Sequence, residues 1–215
     1  MPRAPRIDIP GLVYHLTARG VKRLPIFGDD QDRQEFLRLL RWTRDQFPFT
    51  LHAYCLMTNH YHLLLQTGNV ALADLMQSFK TAYAKHFNRR HHHVGHVFQG
   101  RYHSIPVQED AYFTTVARYI HLNPVKAGIV TAPQDFPWSD YPRLIKGEGD
   151  PLVESQFLLG YFGRDIALQR EKYRLFVEDG ISKQEPVTEK ALYRMRFWGA
   201  PPPAFRSATL SQIPS

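Results

Sequence analysis

One cysteine in 215 residues rules out an internal disulfide. Cys55 lies in the apolar run Ala53-Tyr54-Cys55-Leu56-Met57, where a buried strand thiol is expected rather than a nucleophile. The chain also lacks any uninterrupted apolar stretch near the ~20 residues that span a bilayer. Its first residues, Met1 to Arg6, lead into no signal-like segment, so a soluble, cytoplasmic protein without a membrane partner is expected. Acidic residues are absent between Leu75 and Gln108, while Lys80, Lys85, Arg89, Arg90, Arg101 and six of the eleven histidines fall there. With a net charge of +7, this segment is expected to carry an unopposed positive field suited to a polyanion.

A content of 43% hydrophobic and 13% aromatic residues is enough for one main domain with an appendage. Leu12 to Thr17 reads as a strand, followed by the loop Ala18 to Arg23, whose glycine and cations either approach a phosphate or form an ordinary solvated turn. Asp29, Asp30 and Asp32 supply a cap and a first turn for a helix ending near Gln46. Leu51 to Met57 and His60 to Gln66 are separated by Thr58-Asn59 alone, the spacing of a tight hairpin in which Asn59 tolerates positive φ.

From Ala71 to Arg90 a helical period gathers Leu72, Leu75, Met76, Phe79, Tyr83 and Phe87 on one face. The tract His91 to His96 reads as a solvated or nucleic-acid-facing loop, and Phe98 to Val107 as a further strand in which Pro106 marks either an edge or the strand end. The next helix starts at Glu109-Asp110 and is expected to stop near Asn123, before Pro124. The order strand, helix, strand, strand, helix, strand, helix gives an α+β class with a ferredoxin-like antiparallel sheet covered by helices. The expected organisation is a main domain over residues 1–145, a small helical C-terminal extension over 146–200 and a flexible tail over 201–215.

His60 and His62 alternate along one strand and therefore share a face, roughly 7 Å apart at strand rise, close enough for one metal ion. Strand histidines also commonly just satisfy a half-buried surface. Tyr119 and Asn123 lie four apart on one side of a helix, where a tyrosine usually packs and only sometimes attacks. If the two pairs converge, His60, His62 and the Asn123 oxygen leave coordination positions open on a magnesium or manganese ion, and Tyr119 is set to attack phosphorus.

Three words carry a resemblance to the HUH single-tyrosine transposases, and more closely to their REP-associated tyrosine transposase branch. They are Ala53-Tyr54-Cys55-Leu56-Met57-Thr58-Asn59-His60-Tyr61-His62-Leu63-Leu64, then Gly95-His96-Val97-Phe98-Gln99-Gly100-Arg101-Tyr102, then Arg118 to Gly128 with Tyr119, Asn123 and Pro124 inside it. The resemblance covers roughly Ile9 to Leu144. It implies His60 and His62 as the HUH metal ligands, Asn123 as the third, Tyr119 as nucleophile, and a 5′-phosphotyrosine link with a free 3′-hydroxyl. Tyr61 departs mildly from the large hydrophobic residue usual between the histidines.

The implied substrate is single-stranded DNA folded into REP-like palindromic hairpins, handled by a monomer or a homodimer. Arg19, Lys85, Arg89 and Arg101 are the expected phosphate contacts. A hairpin-binding protein without turnover is the alternative.

Overall fold

The computed structural model describes residues 9–107 and 110–182. Four strands, β1 (Val13–Arg19), β2 (Phe49–Met57), β3 (His60–Thr67) and β4 (His103–Val107), form one antiparallel sheet in the order β2-β3-β1-β4. The expected hairpin is there: Met57 pairs with His60 across the two-residue turn. Asn59 does not adopt positive φ; among the described residues the left-handed non-glycine ones are Lys22, Arg23 and His92. Asn59 serves instead through its side-chain amide, described below.

Side chains alternate across the sheet, so β1, β2 and β3 each feed two cores. Tyr14, Leu16, Tyr54, Leu56, Tyr61, Leu63 and Leu65 pack beneath α1 (Asp30–Gln46) and α2 (Leu72–Arg90). On the other face Val13, Cys55, Leu64 and Ile105 pack under α3 (Asp110–Lys126). Three short or late helices, α4 (Tyr141–Lys146), α5 (Gln156–Gly160) and α6 (Ile166–Ser182), complete that second layer. The segment expected as an appendage therefore shares a core with α3, through Leu158, Leu159, Tyr173 and Val177. The last part of the expected extension, residues 183–200, and the tail over 201–215 lie outside the described residues.

The fourth strand is shorter than Phe98 to Val107. Phe98 makes only an isolated bridge to Gly20, and the chain bends through Gly100 before pairing resumes at His103. β4 is an edge strand, which accommodates Pro106 opposite Tyr14. The other edge, β2, is covered: Leu56 N–H donates to the Trp138 carbonyl and Tyr54 N–H to an Asp140 carboxylate oxygen at 2.6 Å. Such a belt removes an open ladder that would invite pairing with another chain.

The positive segment is not unopposed. Arg90, at the end of α2, pairs with Asp29 at 2.6 Å and Asp32 at 2.7 Å at the start of α1, and His91 meets the second oxygen of Asp32 at 2.8 Å. Asp29 also caps α1 as expected, accepting from Asp32 N–H. His91 thus stays exposed at the end of α2 while its Nε2 is engaged with Asp32. Burial raises the Asp32 pKa, but hydrogen bonds from Gly28 N–H, Arg90 and His91 outweigh it and leave a net lowering.

Arg90→Ala should destabilise the fold, because it strips a charged hydrogen bond from the buried Asp32 carboxylate. A depressed carboxylate contributes stability above its unfolded pKa, ~3.9, and loses it as pH falls through the folded value. Urea melts of both proteins should therefore converge as pH falls through the folded value.

Candidate active site

Arg19 and His60 are cross-strand partners, as are Thr17 and His62, so β1 and β3 build one end of the sheet together. His60 and His62 face the α3 layer with ring centroids 5.0 Å apart. Against them stands Tyr119, buried at 8% exposure, its ring edge-on to His62 at 5.6 Å. The strand pair and the helical tyrosine do converge.

Asn123 is one turn further along α3 and half-buried. Its amide nitrogen donates to the Tyr119 carbonyl at 2.8 Å, which leaves the side-chain oxygen as its available acceptor. The helix does not stop at Asn123. It runs through Pro124 to Lys126, and Ala127 N–H, Gly128 N–H and Ile129 N–H close the last turn onto carbonyls of Asn123, Val125 and Pro124. Proline removes one donor without preventing the carbonyls around it from accepting, and Gly128 at φ 68° ends the helix. The continuation matters because it brings Lys126, two turns beyond Tyr119, over the tyrosine ring at 5.1 Å. Sequence reading had missed Lys126 because it lies beyond the expected stop.

A second unforeseen residue is His15 on β1, 1% exposed. Its Nε2 lies 3.0 Å from Nδ1 of His62, the rings stack at 14°, and its ring meets Tyr119 at 5.8 Å. A single histidine in an apolar strand reads as packing, and only the diagonal neighbour His62, whose direct partner is Thr17, gives it away.

Burial holds all three imidazoles neutral. It lowers the His15 pKa to about 3, lowers that of His60 to about 4 with help from the Arg19 charge, and drives that of His62 well below 6.5. Neutral imidazole is the metal-binding form. Among the described residues the buried Nε2 of His62 has no hydrogen-bond partner, so it fits a metal ligand. Among the described residues no three His, Cys, Asp or Glu side chains form a metal cluster. The pair would therefore be completed by an amide oxygen, water or a substrate oxygen.

The buried His15 also has a consequence for acid stability. An unfolded histidine titrates near 6.5, above the folded value, so the unfolded chain takes up this proton first. The contribution of His15 is intact above that pH and falls by about 1.4 kcal/mol per unit below it. Unfolding free energy should drop by about 2 kcal/mol between pH 6.5 and pH 5 from this residue alone, and His15→Phe should flatten that part of the profile.

The expected phosphate contacts divide. Half-buried Arg19 lies at the histidine end of the sheet, opposite His60, and exposed Arg101 follows two residues after Gln99, whose N–H donates to the Arg19 carbonyl. Lys85 and Arg89 are exposed on α2, in the opposite layer, and do not join the cluster. Gly20, beside Arg19, has ordinary extended backbone at φ −62°. A Cβ there would collide with the Leu24 carbonyl, so glycine is needed for the loop to fold back on itself rather than for a phosphate to approach.

The family model described as "Transposase IS200 like" matches residues 8–123. A REP-associated tyrosine transposase of Haemophilus influenzae is 28% identical over 125 residues, 53% of this chain and 71% of that one. A solved REP-associated tyrosine transposase bound to a REP hairpin superposes with a TM-score of 0.58 at 20% identity, over 72% of this chain and 92% of that one. This last likeness is one of fold.

Proposed function

The chain belongs to the family of IS200-like transposases, and from that premise we propose that it is a metal-dependent single-stranded DNA endonuclease and strand transferase. Its substrate is hairpin-forming, palindromic DNA of the REP type, in line with the REP hairpin bound by the solved relative above. The observation that carries the reading is the contact of the Tyr119 ring with the histidine pair at 5.6 Å, beside an unpartnered His62 Nε2.

His60 and His62, with Asn123 through its amide oxygen, are the residues that would hold a magnesium or manganese ion. When bound there, the ion withdraws charge from a non-bridging phosphate oxygen as the transition state forms. Arg19, close enough to the pair to depress both pKa values, holds the phosphate on the strand side. Tyr119 oxygen forms the new bond to phosphorus and gives up its proton to water, while Lys126 adds positive potential at the ring.

The phosphorus–O3′ bond breaks and the leaving oxygen takes a proton, giving a 3′-hydroxyl and a 5′-phosphotyrosine. Because the phosphodiester energy is retained in that link, another 3′-hydroxyl can reverse the attack and join strands without a nucleotide cofactor. Arg101, Lys85 and Arg89 are proposed backbone contacts, with the α2 pair reached only by DNA that wraps to the opposite layer. Backbone contacts set position and salt dependence, not sequence choice.

Among the described residues no helix is long and apolar enough to cross a membrane. Action on DNA in the cytoplasm, by a monomer or a homodimer, follows from the proposed activity.

The test is to incubate the protein with palindromic hairpin oligonucleotides and manganese and resolve the products on a denaturing gel. A covalent protein–DNA band and a free 3′-hydroxyl fragment are expected. Tight binding with no adduct on any hairpin would instead indicate a binding protein without turnover.

A further inference from the structure

Each histidine of the pair has its Nδ1 occupied by a different neighbour. Nδ1 of His60 lies 2.7 Å from Oδ1 of Asn59. The orientation of that amide is fixed from its other end, because Nδ2 of Asn59 donates to the Arg23 carbonyl at 3.0 Å. An amide oxygen can only accept, so His60 carries its proton on Nδ1 and leaves the Nε2 lone pair free. Nδ1 of His62 lies 3.0 Å from Nε2 of His15, and that contact admits two arrangements. If His15 donates, the proton of His62 sits on Nε2 and that atom cannot ligate. If His15 accepts, His62 is protonated on Nδ1 and its buried Nε2 is a free lone pair.

We propose that Asn59 and His15 are positioning residues that hold His60 and His62 as Nδ1-protonated imidazoles, aiming both Nε2 lone pairs at one divalent cation. The inference rests on the metal-pair reading above and extends it to the shell behind the ligands. Such outer partners fix both the tautomer and the ring orientation of a ligand, and their loss commonly weakens metal affinity by about 10–100-fold.

Support for the Asn59 arm comes from an otherwise unexplained piece of backbone. Lys22 and Arg23 both take left-handed conformations, at φ 50° and 62°, which non-glycine residues seldom adopt. The loop is tied down by Gly20 N–H donating to the Asn59 carbonyl and Val21 N–H to the Val97 carbonyl. The strained turn thereby presents the Arg23 carbonyl to the Asn59 amide, and strain of this kind persists where its surroundings fix it. The chain of contacts runs from a left-handed pair, through one amide, to the proton position on a ligand.

Two measurements on the full chain test this. Nitrogen-15 spectra of the metal-free protein should show His60 and His62 both protonated on Nδ1; a proton on Nε2 of either would overturn the assignment for that residue. Manganese binding without DNA, followed by electron paramagnetic resonance, should weaken about 10–100-fold in His15→Phe and in Asn59→Leu. His15→Gln and Asn59→Asp, which restore an acceptor, should recover most of that loss.

Wild-type affinity in folded His15→Phe and Asn59→Leu would overturn the positioning role while leaving the metal pair standing. Absence of manganese binding by the wild-type chain would instead overturn the metal pair. The tautomer signature in the wild-type protein needs no variant, so misfolding of a substituted chain does not shield the proposal.

Discussion

Tyr119→Phe should eliminate the covalent protein–DNA adduct and lower cleavage by about 10⁴-fold or more, the scale of loss when a covalent nucleophile is removed. The substitution takes away one oxygen and leaves the ring that packs against His15 and His62. Hairpin affinity should therefore stay within a few-fold of wild type, since backbone charge contacts carry most of it. A denaturing gel reads the adduct and a native gel reads binding on the same samples. An adduct that persists in the variant would move the nucleophile elsewhere. Cleavage that persists without an adduct would mean that water attacks, making the protein a hydrolase unable to rejoin strands.

The second large effect is expected from the histidine pair. His60→Ala and His62→Ala should each reduce cleavage by about 10²–10³-fold, the usual cost of removing a group that stabilises developing charge. The double variant should cost little more than the worse single one, because two ligands of one ion act as a unit and their losses do not add. Binding should again survive. The measurement is cleavage as a function of manganese concentration: an affinity defect is partly rescued by excess metal, whereas a cleavage rate insensitive to both metal and substitution would remove the ion from the reaction. His62→Ala also opens a gap beside buried His15 and Tyr119, so its melting point should fall, while half-buried His60→Ala should perturb stability less.

The two histidines and the tyrosine were legible because each depends on local periodicity. Two-residue alternation puts His60 and His62 on one face, and the strand–helix order puts α3 over that face. The hairpin was legible for the same reason, with Thr58-Asn59 leaving room for little else. What could not be read was pairing across distance. Arg90 looked like a free cation because its partners, Asp29 and Asp32, are about sixty residues earlier. Lys85 and Arg89 lie in the same basic segment as Arg101, yet the sheet separates them from the site.

His15 offered no signal of its own, since its role arises from the register that sets β1 beside β3. The helix stop at Pro124 failed because a proline is penalised for the donor it lacks, and one missing donor near a helix end is affordable when the following amides find carbonyls.

α3 is held from two directions. Tyr119 meets the sheet, while His121, about 200° further round the helix, is buried between Asp140 at 3.0 Å and the Tyr173 hydroxyl at 2.7 Å. Asp140 in turn accepts from the backbone of β2. Rolling the helix by one residue would swing the tyrosine through about 100° and point it away from the histidines. The azimuth of Tyr119 is therefore indexed from behind, by Asp140 and Tyr173 acting through His121. A chain trimmed after α3 would keep every residue of the proposed reaction while losing the stop that sets the angle of Tyr119, so the C-terminal helices would act on accuracy of aim.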